Sequence, residues 1–181
     1  MNSHRMNYTK QLTLSALFIA LGVVLPFVTG QIPQIGNMLL PMHIPAFLCG
    51  FVCGGPYGLM VGLITPLLRS LLFGRPMMVP TAVGMAIELA TYGLVTGLVY
   101  SKCKQKKFGI YLSLLSAMII GRIVWGIASF FIYRILGNPF TWGYFVAETF
   151  FKAIPGIVLQ LLLIPLFVYA LKRARFIDSA S

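Results

Sequence analysis

The sequence predicts an all-α integral membrane protein with six transmembrane helices and both the N- and C-termini in the cytoplasm. Three observations predict it. Of 181 residues, 59% are hydrophobic and only 9% are charged, against about a quarter charged in soluble domains. So few charges cannot cover a water-facing surface, and lipid is the solvent for most of the chain. Apolar runs recur along the whole length, most of them near the ~20 residues that cross ~30 Å of hydrocarbon. The basic residues behind the net charge of +11 gather at the ends of those runs: Arg5 and Lys10; Lys102, Lys104, Lys106 and Lys107; Lys172, Arg173 and Arg175. That is the distribution of cytoplasmic anchors and not of a nucleic-acid groove, so no nucleic-acid partner is expected.

Residues 1–181 read as a single membrane domain. The first helix is expected over about 9–28, ending at Pro26 and Gly30. Its run is long and no small-x-small cleavage site follows, so it reads as a retained helix rather than a signal peptide. A polar, proline-bearing stretch from Gln31 to Pro41 follows, with Gln34 and Asn37. The second helix, about 42–55, is short and contains Pro45; the third spans about 57–73 and the fourth about 81–101. The fifth covers about 108–134 and the sixth about 147–172. Eight of the 11 prolines lie between Pro26 and Pro80, which implies short, bent or interrupted helices there. Broken helices are tolerated at membrane depth where protein or a water-filled cavity satisfies the freed backbone. A cavity in the outer half and kinks that merely improve packing both fit.

Charge decides the count. With the N-terminus inside, six crossings place the 102–107 loop and the 172–181 tail inside as well, so all three basic clusters share one side. Five or seven crossings would separate the tail from the N-terminus. The loops then left outside, Thr29–Pro41, Gly74–Pro80 and Leu136–Tyr144, carry amides, aromatics, Pro and Gly. They fit either a lid over a small molecule or interfacial turns with an aromatic belt. Small residues recur at four-residue spacing: Ala16 and Ala20; Gly54, Gly58 and Gly62; Gly93 and Gly97. Such faces let helix backbones approach closely in lipid.

Each ionisable group inside a membrane costs about 2.5–3.5 kcal/mol by insertion scales, so each requires a reason. They are Glu88 in the fourth helix, Arg122 in the fifth, and Glu148 with Lys152 in the sixth. Glu148 and Lys152 have the spacing and order of a helical ion pair, and Glu88 and Arg122 are placed to pair across two helices. Either pair reads as a structural brace or as part of a binding site. If both form, Arg69, Arg75 and Arg134 are left near the outer ends, suited to a carboxylate or phosphate on a ligand, or simply snorkelling to the interface. Tyr92, Trp125, Asn138, Trp142 and Tyr144 supply the aromatic and amide groups of a small-molecule pocket. The candidate substrate-binding set is Asn37, Arg75, Glu88, Tyr92, Arg122, Trp125, Asn138, Trp142, Glu148 and Lys152. His43 reads as a satisfied interfacial histidine, and Cys49, Cys53 and Cys103 as small packing residues. No phosphate loop, no HExxH helix and no paired-carboxylate metal motif is present in the sequence. No cofactor, metal or catalytic residue is expected, and the chain does not read as an enzyme.

Six helices with both ends inside, a 20.0 kDa size and the Ala16-x3-Ala20 pair resemble the S components of energy-coupling factor (ECF) importers. The stretches His43-Ile-Pro-Ala-Phe-Leu-Cys-Gly50, Gly55-Pro-Tyr-Gly58, Pro66-Leu-Leu-Arg-Ser70, Glu88-Leu-Ala-Thr-Tyr-Gly93 and Gly121-Arg-Ile-Val-Trp-Gly126 are similar to the branch with pantothenate- and riboflavin-type members. The resemblance implies a multi-pass protein of a bacterial plasma membrane that binds a vitamin near the outer face. It also implies that Ala16 and Ala20 contact a transmembrane coupling subunit, itself driven by two ATPases, and that the protein rotates in the membrane. The cationic surplus leans toward an anionic substrate such as pantothenate. The rival reading is a self-sufficient permease in which Glu88 or Glu148 carries protons.

Overall fold

A computed structural model describes residues 8–28, 40–103, 105–106, 108–137 and 154–174. Those residues form six α-helices and no strand: α1 Tyr8–Val28, α2 His43–Cys53, α3 Gly55–Phe73, α4 Val83–Cys103, α5 Gly109–Ile135 and α6 Ile154–Arg173. Five are long and apolar enough to cross a membrane, and α2 is a shorter apolar helix. Its 11 residues rise about 16 Å, roughly half the ~30 Å hydrocarbon thickness. Every residue of α2 is buried, so it is an interior element.

The breakers act where the sequence puts them. Gly54 separates α2 from α3 at φ +94°, a region that side chains with a Cβ rarely enter, and Pro56 sits in the first turn of α3. Gly74, at φ +65°, ends α3 in the left-handed conformation and its N–H donates to the Ser70 carbonyl at 2.9 Å. A wide turn, Met78–Ala82, with extended backbone at Val79, leads into α4. Pro26, Pro66 and Pro165 lie within α1, α3 and α6.

At the centre is α4, packed against α2, α3 and α5; α1 lies on α2 and α3, and α6 on α2 and α5. Glycine makes the central contact possible. A Cβ placed on Gly58 or Gly93 would collide with the backbone of the other, one on Gly62 would strike Leu89, and one on Gly97 would strike Gly55. Gly50 of α2 meets Gly93 in the same way. Without side chains between them these backbones touch, and dispersion over a long contact replaces the hydrophobic drive that lipid removes. Gly54, grouped by its spacing with Gly58 and Gly62, is the hinge between helices instead; Gly55 takes its place in the seam.

Around the seam, Phe18, Phe47, Phe51, Val61, Leu114, Ile164 and Val168 form the core. Outward faces carry Leu17 and Val24 on α1, Ile119, Ile123, Ile127 and Phe131 on α5, and Leu162 and Leu166 on α6. An apolar exterior of this extent suits lipid and not water. Cys49 packs against α1, its Sγ 3.7 Å from the Ser15 hydroxyl.

The seam predicts a steric dependence. Gly93→Leu forces two backbones apart and, at about 1–3 kcal/mol or more for an overpacked site, should lower the unfolding temperature of the detergent-purified protein. Gly137→Leu, at a site where an added Cβ meets nothing within 4 Å among the described residues, should leave the helix packing intact and lose only turn stability.

Candidate functional site

Tyr92, Arg122 and His43 converge on Glu88, in the second turn of α4 and 2% exposed. One turn on, Tyr92 donates its hydroxyl to Glu88 Oε1 at 2.6 Å. From α5, Arg122 Nη1 reaches the same oxygen at 3.1 Å. From the first turn of α2, His43 Nε2 stands 3.9 Å from Glu88 Oε2. Three helices thus meet at one carboxylate. The pairing of Glu88 with Arg122 across α4 and α5 is the one the sequence suggested.

Local packing fixes this geometry. The Tyr92 ring stacks on Phe47 of α2, centroids 4.7 Å apart, and lies 5.5 Å from the His43 ring. It fits because residue 121 is glycine: a Cβ there would run into the Tyr92 ring. Gly121 is therefore what lets Arg122 approach α4 while Tyr92 stays against Glu88. Trp125, one turn beyond Arg122, lies beside the start of α4, its Nε1 3.5 Å from where a Cβ on Gly84 would stand.

The members differ in access. The Glu88 and His43 side chains are 3% and 2% exposed, whereas the Arg122 side chain is 16% exposed. Among the described residues, Arg122 Nε and both ring nitrogens of His43 have no hydrogen-bond partner. Buried polar groups nearly always find partners, so these unspent atoms mark where the cluster has capacity left. Chemically the group offers a guanidinium, an imidazole and a carboxylate beside an indole: equipment for holding a polar small molecule.

Two expectations change. His43 is not an interfacial histidine with its bonds satisfied; it is 1% exposed and unpartnered among the described residues. Arg69 is not a spare cation for a ligand. It is 4% exposed, donates Nη1 to the Val23 carbonyl, and lies 4.8 Å from the Phe27 ring and 5.6 Å from the Phe73 ring. Its charge is spent fastening α1 to α3. Arg75 is exposed in the α3–α4 connection and Arg134 is exposed in the last turn of α5. Asn37, Asn138, Trp142, Tyr144, Glu148 and Lys152 lie outside the described residues. Ala16 and Ala20 are both exposed on α1, beside Leu17 and Val24, and take no part in the internal packing.

Removing one member of a buried pair strands the other. Glu88→Ala leaves Arg122 unpaired and should cost about 3–5 kcal/mol, whereas Tyr92→Phe forfeits one hydrogen bond worth roughly 1 kcal/mol while retaining the stack on Phe47. Thermal unfolding of the two variants in one detergent checks the order.

A family model described as "ECF transporter, substrate-specific component" matches residues 10–168. No curated protein and no solved structure matches the chain.

Proposed function

We propose that this chain, which belongs to the family of ECF transporter substrate-specific components, is the high-affinity binding subunit of an ATP-driven importer for a vitamin or a related small molecule. Membership of the family makes it a transporter component rather than an enzyme. The observation that carries the binding reading is the cluster on Glu88. Its most accessible member, Arg122, holds the carboxylate with one nitrogen and keeps Nε unspent. That nitrogen is itself buried and has no hydrogen-bond partner among the described residues, and an ion pair that served packing alone would not be expected to leave a buried donor unspent.

The substrate is proposed to be anionic, pantothenate being the best fit within a pantothenate- and riboflavin-like branch. With Arg69 committed to α1, that reading rests on Arg122 within the cluster and on Arg75 and Arg134 at the exposed helix ends. Trp125 would stack on the apolar part of the ligand. Asn37, Asn138, Trp142, Glu148 and Lys152 complete the proposed site.

Energy would come from partners: a transmembrane coupling subunit and two ATPases in a bacterial plasma membrane. The exposed Ala16 and Ala20 are proposed as the contact with the coupling subunit, because small side chains at four-residue spacing admit another helix backbone. Both termini would face the cytoplasm, where Lys102, Lys106, Lys172 and Arg173 anchor the helix ends.

Mass spectrometry of the small molecule that co-purifies with the chain tests the substrate; recovery of an uncharged compound overturns the anionic assignment. Uptake by cells should require the partner subunits. Uptake into vesicles holding this chain alone, abolished by an uncoupler, would instead establish an ion-coupled permease. Ala16→Trp should abolish uptake and leave ligand affinity within about twofold, since bulk there blocks approach of a helix; equal loss of binding would assign the pair to packing.

A further inference from the structure

We propose that His43 is a standby hydrogen-bond donor for Glu88, which lets Arg122 turn toward an anionic substrate without leaving a carboxylate oxygen unsatisfied. The proposal rests on the binding role given to this cluster. Four observations lead to it. Glu88 Oε1 already carries two donors, the Tyr92 hydroxyl at 2.6 Å and Arg122 Nη1 at 3.1 Å. The other oxygen, Oε2, faces His43 Nε2 at 3.9 Å, close but beyond hydrogen-bonding distance. His43 is 1% exposed, with both ring nitrogens unpartnered among the described residues. Arg122 is the member with an outlet, its side chain 16% exposed against 3% for Glu88.

A buried carboxylate cannot lose its only cation cheaply. A ligand carboxylate that drew Arg122 away would compete against that penalty, and the pair would resist binding. His43 lowers the obstacle by replacing the hydrogen bond that Arg122 gives up. Closing from 3.9 Å to a hydrogen bond of about 2.8 Å takes about 1 Å of travel, within reach of a side-chain rotation in the first turn of α2. Even the neutral imidazole has one N–H to donate, so the exchange requires no proton. After it, Tyr92 still serves Oε1, His43 serves Oε2, and Arg122 turns its guanidinium on the ligand. Among the described residues no other buried cation competes for the place: Arg69 is held by the Val23 carbonyl, and the buried polar side chain of the described part of α6 is the uncharged Gln160. His43 is thus a positioning residue, acting on the substrate through Glu88 and Arg122.

A ligand-free stability cycle and a binding pair test this on the purified full-length protein. Thermal unfolding is measured for wild type, His43→Leu, Arg122→Gln and the double variant. The double variant should lose more than the sum of the single losses, because Glu88 then has no partner but Tyr92, and adding Glu88→Gln should remove the excess. Additive losses overturn the exchange whether or not any ligand binds. For binding, the probes are pantothenate and its uncharged analogue with a hydroxymethyl group in place of the carboxylate. His43→Leu should weaken pantothenate about tenfold and leave the analogue unchanged, while His43→Gln, which keeps a donor, should match wild type for both. Equal weakening of the two probes, or of neither, overturns the role in binding. If wild type binds neither probe, the substrate assignment fails and the stability cycle alone decides whether His43 stands in for Arg122.

Discussion

The contact of bare backbone with bare backbone between α3 and α4 is the constraint on which the remainder of the molecule depends. Apolar side chains gain nothing by leaving lipid for one another, so helix association must draw on close packing and internal hydrogen bonds. The glycines at 58, 62, 93 and 97 supply the first. Held at that distance, α4 presents Glu88 and Tyr92 toward α2 and α5, and these supply the second. Gly50 admits α2 to the same seam, which brings His43 and Phe47 alongside. The polar cluster therefore depends on the glycine register: move α2 outward by one side chain at Gly50 and the carboxylate loses His43.

On the proposed reading, the cluster would let a buried charge serve both stability and recognition. A carboxylate fully enclosed by protein needs a donor at all times, yet a guanidinium that never lets go is useless to a ligand. Two donors on one acid with an imidazole 3.9 Å away would, under the proposed exchange, reconcile these demands. The bond from Tyr92 is short and shielded, the bond from Arg122 is partly open, and the imidazole waits without a bond of its own. The apolar stack of Tyr92 on Phe47 keeps the phenol in place as the others exchange.

Much of this was legible in the sequence, for identifiable reasons. Composition set the membrane class, since 9% charge leaves no alternative solvent, and apolar runs of about 20 residues made it helical. Proline and glycine marked the interruptions, and four-residue spacing disclosed the seam, because helix faces repeat at that interval. Glu88 with Arg122 was legible because opposite charges at membrane depth have few other recourses. His43 and Arg69 were not. A histidine flanked by methionine and isoleucine looks the same whether it meets lipid headgroups or a carboxylate 45 residues further along the chain. Arg69 partners a backbone carbonyl and two phenylalanine rings, and a carbonyl has no letter in a sequence. Gly54 misled for a related reason: spacing records a face, not the point at which a helix has already stopped.

The clasp of Arg69 on the far end of α1 has a mechanical consequence. A helix held only by side-chain packing can bend or slide when something pulls on its exposed flank, and Pro26 offers a natural place to give. Here the guanidinium grips the chain three residues before that proline, and the Phe27 and Phe73 rings close edge to face over it. A load applied along the middle of α1 would therefore travel into α3, through the glycine seam and on to the helices that carry Glu88 and Arg122. The protein would answer such a pull as one stiff body, with α1 as its handle.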